Sequence, residues 1–161
     1  MPAEMSKEAF IERFGGVYED SPWVAEAVWP DYEAGRLKRP GSLAQAMRYV
    51  VEAAPYDQKL ALIRAHPELA SRARMADASV SEQRGAGLDQ CTPEEFEAFQ
   101  RLNRDYKIRF GFPFIVAVRG MTRQDILAIF ERRLKNEPEL EFETAISQIH
   151  RIASSRLADM I

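Results

Sequence analysis

An all-α fold, a single-domain bundle of about seven to eight helices, is what this 161-residue chain predicts. Three observations carry that expectation. Apolar residues recur at spacings of three and four far more often than they alternate. Helix start signals precede most of those segments. Only one stretch, FPFIVAVRG at 112–120, has strand character, and no partner strand is evident elsewhere. With 46% hydrophobic residues the chain can bury one core of ordinary size, so residues 1–161 are expected to form one domain.

Ser6 caps KEAFIERF, in which Phe10 and Phe14 share a face, and Gly15 and Gly16 end it. Ser21 and Pro22 start PWVAEAVW, because proline at the first helical position lacks only an amide hydrogen that would be unpaired anyway. Ser42 opens LAQAMRYVVEA, with Leu43, Met47, Val50 and Val51 as its stripe, and residues 56–65 carry Leu60 and Ile63 up to His66. Pro67 disfavours the helical region for His66, so a new helix is expected to begin as PELASRARM.

SVSEQRGAGL, residues 79–88, reads as a short exposed turn, because two glycines follow Gln83 closely. Thr92 and Glu95 have the spacing of a capping box around Pro93, and Phe96, Phe99, Tyr106 and Phe110 follow on one side up to Gly111. FPFIVAVRG is then expected as a buried extended segment or a short helix. Thr122 and Asp125 begin TRQDILAIFERRLKN. Pro138 begins a last helix with Phe142, Ile146, Ile149, Ala153 and Leu157 facing inward.

Charged residues make up 29% of the chain with a net charge of -3, which lacks the basic excess that holds a phosphate backbone, so nucleic acid is not an expected partner. Cys91 is the only cysteine, which excludes an internal disulfide framework and fits a reducing cytosol. The N-terminus lacks the pattern of a signal peptide, no apolar run approaches membrane-spanning length, and LADMI is not a peroxisomal tripeptide. A cytoplasmic protein without a membrane partner is the expectation.

Three places carry residues suited to chemistry. His66, at a helix start, feels unpaired amides that favour neutral imidazole, and a nearby carboxylate would favour the charged form; such opposed pulls suit proton transfer near neutral pH. Helix capping is the simpler role for it. Ser79 and Glu82 have capping-box spacing, yet polar groups on turns are often functional. The irregular FPFIVAVRG segment is most simply core, but its backbone groups need partners that a planar, amide-rich ligand supplies. Arg119 and Arg156 are possible carboxylate forks. His66, Glu68, Glu82 and His150 have none of the close spacings of zinc or di-iron helices, so no metal is expected. No phosphate-binding glycine loop or serine nucleophile elbow is present, and Cys91 has no nearby histidine.

AHPELA, SVSEQRGAGL and NRDYKIRFGFPFIVAVRG, in this order and register, closely resemble the decarboxylases of urate degradation. That family acts on 2-oxo-4-hydroxy-4-carboxy-5-ureidoimidazoline (OHCU) and yields (S)-allantoin. The resemblance implies an all-helical cytoplasmic homodimer with a small-molecule substrate and no cofactor. It makes His66 the catalytic proton donor and Glu82 its partner at the substrate hydroxyl. Ser79 and Gln83 become substrate hydrogen-bonding groups, with Pro67, Val80 and Ser81 beside them. Backbone atoms along Phe114, Ile115, Val116, Ala117 and Val118, followed by Arg119, resemble the segment that reads the ring amides, and Arg156 resembles the family's carboxylate-binding arginine. The competing expectation is a non-enzymatic interaction module that exposes FGFPFIVAVRG to a partner protein.

Overall fold

The computed structural model describes the backbone of residues 5–70 and 77–160 and the side chains of residues 5–70 and 79–160. Among the described residues there are eight α-helices and one 3-10 turn, and no strand. The all-α prediction holds. Cα proximity divides the chain into two compact units, Met1–Ala65 with His150–Ile161, and His66–Ile149.

The first unit contains α1 (Lys7–Phe14), α2 (Trp23–Glu33), α3 (Ser42–Glu52), α4 (Tyr56–Ala65) and the C-terminal part of α8 (Pro138–Met160). Ser6 accepts a hydrogen bond from the Ala9 amide at 3.1 Å, the expected cap. Phe10 is buried beside Trp29 and Tyr32, with ring centroids 5.4 and 4.7 Å away. Two starts differ from expectation. The Ser21 and Ser42 hydroxyls donate to the carbonyls of Glu19 and Arg39, and Pro22 and Gly41 stand at the cap positions. α2 also runs past Trp29, with Pro30 inside it. Proline there removes one backbone bond, but Val28 and Tyr32, one turn apart, are both buried, and that burial offsets the loss.

The second unit contains α5 (Asp77–Gly85), the 3-10 turn Leu88–Gln90, α6 (Pro93–Phe110), α7 (Arg123–Arg133) and the N-terminal part of α8. The predicted capping box forms at Thr92 with Glu95, and Thr122 with Asp125, expected as a helix start, also closes as a capping box. Gly111 closes α6 in the left-handed conformation, φ 77°. Phe99 and Tyr106 are buried as expected, whereas Phe96, Phe110 and Phe142 are only half-buried. Leu102 and Asn103 complete the buried face of α6.

Two expectations near the site need correction. No helix begins at Pro67: residues 67–70 form a loop and turn, with Ala70 left-handed at φ 54°. Residues 71–75 of the expected helix lie outside the described residues. SVSEQRGAGL is not an exposed turn, because residues 79–85 belong to α5. Ser79, Gln83 and Ala86 are buried at helical spacing, so the face turns inward and Ser79 is an interior residue rather than a cap. Gly85 comes only at the helix end, where its low propensity matters little, and Gly87 at φ 78° takes the turn.

Candidate active site

His66 follows the last residue of α4 directly and is 8% exposed. The loop after it is held by side-chain amides. The Gln83 Oε1 accepts from the Ala70 amide at 3.0 Å, and its Nε2 donates to the Glu68 carbonyl at 3.4 Å. From α6, Asn103 Nδ2 donates to the Leu69 carbonyl at 2.9 Å and Gln100 Nε2 to the Ala70 carbonyl at 3.2 Å. Gln83 therefore ties the histidine motif to α5.

Within α5 the predicted site residues separate by face. Ser79 and Gln83 are buried one turn apart, Glu82 and Val80 are half-buried, and Ser81 is exposed. Ser79, Glu82 and Gln83 occupy positions i, i+3 and i+4, which puts them on one side of the helix. Pro67 is half-buried.

Residues 112–118 are neither helix nor strand, and they are buried apart from a half-exposed Ala117. Phe114 stacks on Phe130 with centroids 3.9 Å apart, and the Arg133 guanidinium lies 4.4 Å from its ring centroid. Arg133 Nη1 donates to the Ile115 carbonyl at 2.6 Å, and its Nε donates to Glu141 Oε1 at 2.9 Å. Glu141 is wholly buried and also accepts from the Tyr106 hydroxyl at 2.6 Å and from Asn136 Nδ2 at 3.0 Å. Burial, then the bond to Glu141, pushes the Tyr106 phenol well above its ordinary range, so it stays protonated and donates. Gln148 Oε1 accepts from the Ala117 amide at 2.9 Å, and the Met121 amide donates to the Val118 carbonyl. Arg119 is exposed at the turn that ends at Gly120.

Arg156 belongs to the first unit. It is 7% exposed, pairs with Glu19 at 2.9 Å, and donates to the Gly16 and Val17 carbonyls. In the same unit His150 lies between the Tyr18 hydroxyl, 2.8 Å from Nδ1, and Glu52 Oε1, 3.0 Å from Nε2. A carboxylate only accepts, so Nε2 carries the ring proton and the phenol donates to Nδ1.

Sequence reasoning missed Gln100, Asn103, Arg133 and Glu141. A signal existed for two of them: Asn103 lies on the stripe of Phe99, Leu102 and Tyr106, and Glu141 on that of Ala145 and Ile149. A polar side chain on a core stripe marks a buried bond.

The OHCU decarboxylase family model matches residues 3–158. This chain belongs to the OHCU decarboxylase family. Membership makes it an enzyme, a carboxy-lyase. It is 43% identical over 159 residues to the 2-oxo-4-hydroxy-4-carboxy-5-ureidoimidazoline decarboxylase of Haloferax volcanii, covering 96% of this chain and 90% of the relative. It is 41% identical to the uric acid degradation bifunctional protein of Bacillus subtilis, over 98% of this chain and 31% of that protein. Among solved structures, (S)-allantoin synthase superposes with a TM-score of 0.81 at 36% identity, over 99% of this chain and 52% of that one. The chain thus spans about half of that structure. An OHCU decarboxylase crystallised with (S)-allantoin shares the fold, with a TM-score of 0.65 at 22% identity over 83% of this chain and 92% of that one.

The interaction-module reading requires an exposed FGFPFIVAVRG. Phe112, Phe114, Ile115, Val116 and Val118 are all buried within the chain, which removes its premise. Among the described residues no group of three potential metal ligands lies together, and no helix is long and apolar enough to cross a membrane.

Proposed function

We propose that this OHCU decarboxylase acts without a cofactor on OHCU to give (S)-allantoin. Breaking the bond to the carboxylate releases carbon dioxide and leaves its electron pair on the ring carbon. The adjacent C=N bond of the substrate accepts that pair, so no external electron sink is needed. His66 delivers a proton to one face of the neighbouring carbon, and Glu82 holds or relays the hydroxyl proton.

The observation that carries the reading is the direct bonding of the histidine motif to the helix of the SxxEQ motif, through Gln83 to Glu68 and Ala70. It supports a role for the two motifs as one unit. Ser79 and Gln83 bind the substrate from the same side of α5. In the ring-reading segment Phe114–Val118, three groups are already bonded to the protein: the Ile115 carbonyl, the Ala117 amide and the Val118 carbonyl. The other backbone groups of the segment, those of Val116 among them, are the ones we assign to the ligand. Arg156 enters as the carboxylate-binding group through the family resemblance alone, as do the homodimer and the cytoplasmic setting.

The test generates OHCU enzymatically in the presence of the protein and follows chirality by circular dichroism. For His66→Ala the expected result is loss of the (S) excess, with a rate contribution of about a hundredfold to ten-thousandfold removed and thermal unfolding still cooperative. Wild-type accumulation of the (S) product in that variant would return His66 to a helix-end role. Glu82→Gln is expected to lose most turnover with the fold intact.

A further inference from the structure

We propose that Asn103 and Gln100 are positioning residues for His66, acting through the backbone that follows it. This rests on the reading of His66 as the proton donor. Gln100 lies outside the motifs that carry the resemblance, Asn103 is the first residue of the third of them with no role assigned to it there, and both reach the loop from α6.

The loop leaves α4 at His66 and must hold that residue without regular structure of its own. Leu69 and Ala70 are buried, so their backbone polar groups need partners. Four such groups between Glu68 and Ala70 are bonded, every one to a side-chain amide: Glu68 C=O and Ala70 N–H to Gln83, Leu69 C=O to Asn103, and Ala70 C=O to Gln100. Gln83 fixes the loop to α5. The two donors from α6 add a second, independent attachment, which defines where the loop sits as well as what it touches.

Asn103 is the more telling of the two. It is 4% exposed on a face otherwise made by Phe99, Leu102 and Tyr106, and its Oδ1 is buried with no hydrogen-bond partner. An apolar residue there would leave no orphaned oxygen, so the local packing of α6 does not call for asparagine. The Nδ2 bond to Leu69 is what the amide supplies. All three clamping side chains are neutral, so they fix the backbone that follows the histidine without placing a charge beside it. Proton delivery to one face depends on placement within a fraction of an ångström, and displacement of about 1 Å costs on the order of a hundredfold in rate.

The chain has two histidines, so the ring-nitrogen signals of His66 and His150 can be followed separately by NMR, with His66→Ala giving the assignment. In Asn103→Ala and Asn103→Asp we expect the His66 ring signals and their titration midpoint to move while those of His150 stay. Turnover should fall about tenfold to a hundredfold with KM within about threefold, the pattern of lost positioning rather than lost binding. The aspartate variant carries a specific signature. Its ionised carboxylate cannot donate to Leu69 C=O, but the protonated acid can, so its deficit relative to wild type should shrink as pH falls. Gln100→Ala, at a half-buried position that tolerates truncation, repeats the ring measurement if either Asn103 variant fails to fold.

Ring signals that match wild type in the folded variants overturn the clamp, whatever the kinetics. Displaced ring signals with wild-type turnover also overturn the positioning role, and if His66→Ala then remains fully active and stereoselective, the fault lies in the reading of His66 as the acid.

Discussion

Residues 67–70 and residues 112–118 are both irregular, and both end among buried groups, yet opposite chemistry holds them. The first is tied by neutral amides from α5 and α6. The second is packed by aromatic side chains and tied at Ile115 by Arg133, whose charge Glu141 balances. Neutral amides fix the backbone next to an imidazole without placing a charge there. An ion pair suits a segment whose task is shape, because the guanidinium can cover an aromatic ring and hold a carbonyl at once. Changing each anchor in turn tests whether that division is real.

The charged anchor should give the largest effect. Glu141→Ala strands the buried Arg133 and removes the acceptor of both Tyr106 and Asn136. Breaking one side of a buried pair costs about 3–5 kcal/mol, whereas loss of one neutral amide bond costs about 1–3 kcal/mol. Urea unfolding of Glu141→Ala and Asn103→Ala should therefore rank in that order. Equal losses would erase the distinction between the two anchors.

That ranking also explains what the sequence made legible. Caps at Ser6, Thr92 and Thr122 could be read because donor and acceptor lie three residues apart. The anchors of the two irregular segments could not, since Asn103 and Leu69 are 34 residues apart and Arg133 and Ile115 are 18 apart. The error at Pro67 has the same origin: proline is a good first helical residue locally, but amides from distant helices hold this backbone in another shape. In α5 the glycines dominated the sequence reading, and the burial of Ser79 and Gln83 decided the structure. The catalytic roles proposed for His66 and Glu82 come from whole motifs, because no pattern around a single histidine distinguishes an acid from a cap.

A middle-sized effect should come from the first unit, where a buried ionisable ring replaces the neutral amides of the loop. Burial lowers the His150 proton affinity below the ordinary 6.5, opposed by Glu52 and assisted by Arg48 and Lys59. Protonation at Nδ1 also forfeits the Tyr18 donor. Because the folded value is the depressed one, the unfolded chain binds the extra proton. The stabilisation is full above about pH 6.5 and declines as pH falls through the folded value, by at most about 1.4 kcal/mol per pH unit for one proton. His150→Gln should flatten that part of the stability profile. Glu95, held below the usual carboxylate range chiefly by the Thr92 amide, loses its contribution only in the more acidic window below about 4.5. An unchanged slope between pH 6.5 and 5 in the His150 variant would assign the loss to other groups.

The smallest effect belongs to Ala70→Gly, and it separates two causes of order in the histidine loop. Alanine at φ 54° is strained, and glycine relieves that strain, but glycine also adds freedom to the unfolded chain and removes a buried methyl. These terms oppose one another, so stability should stay within about 1 kcal/mol of wild type, a shift of about 4 °C or less. If stiffness of residue 70 itself positions His66, the glycine variant should lose turnover despite its near-native stability. Since Gln83 holds the amide and Gln100 the carbonyl of this residue, the expected outcome is turnover close to wild type, with order supplied by the side chains around the loop rather than by the loop's own backbone.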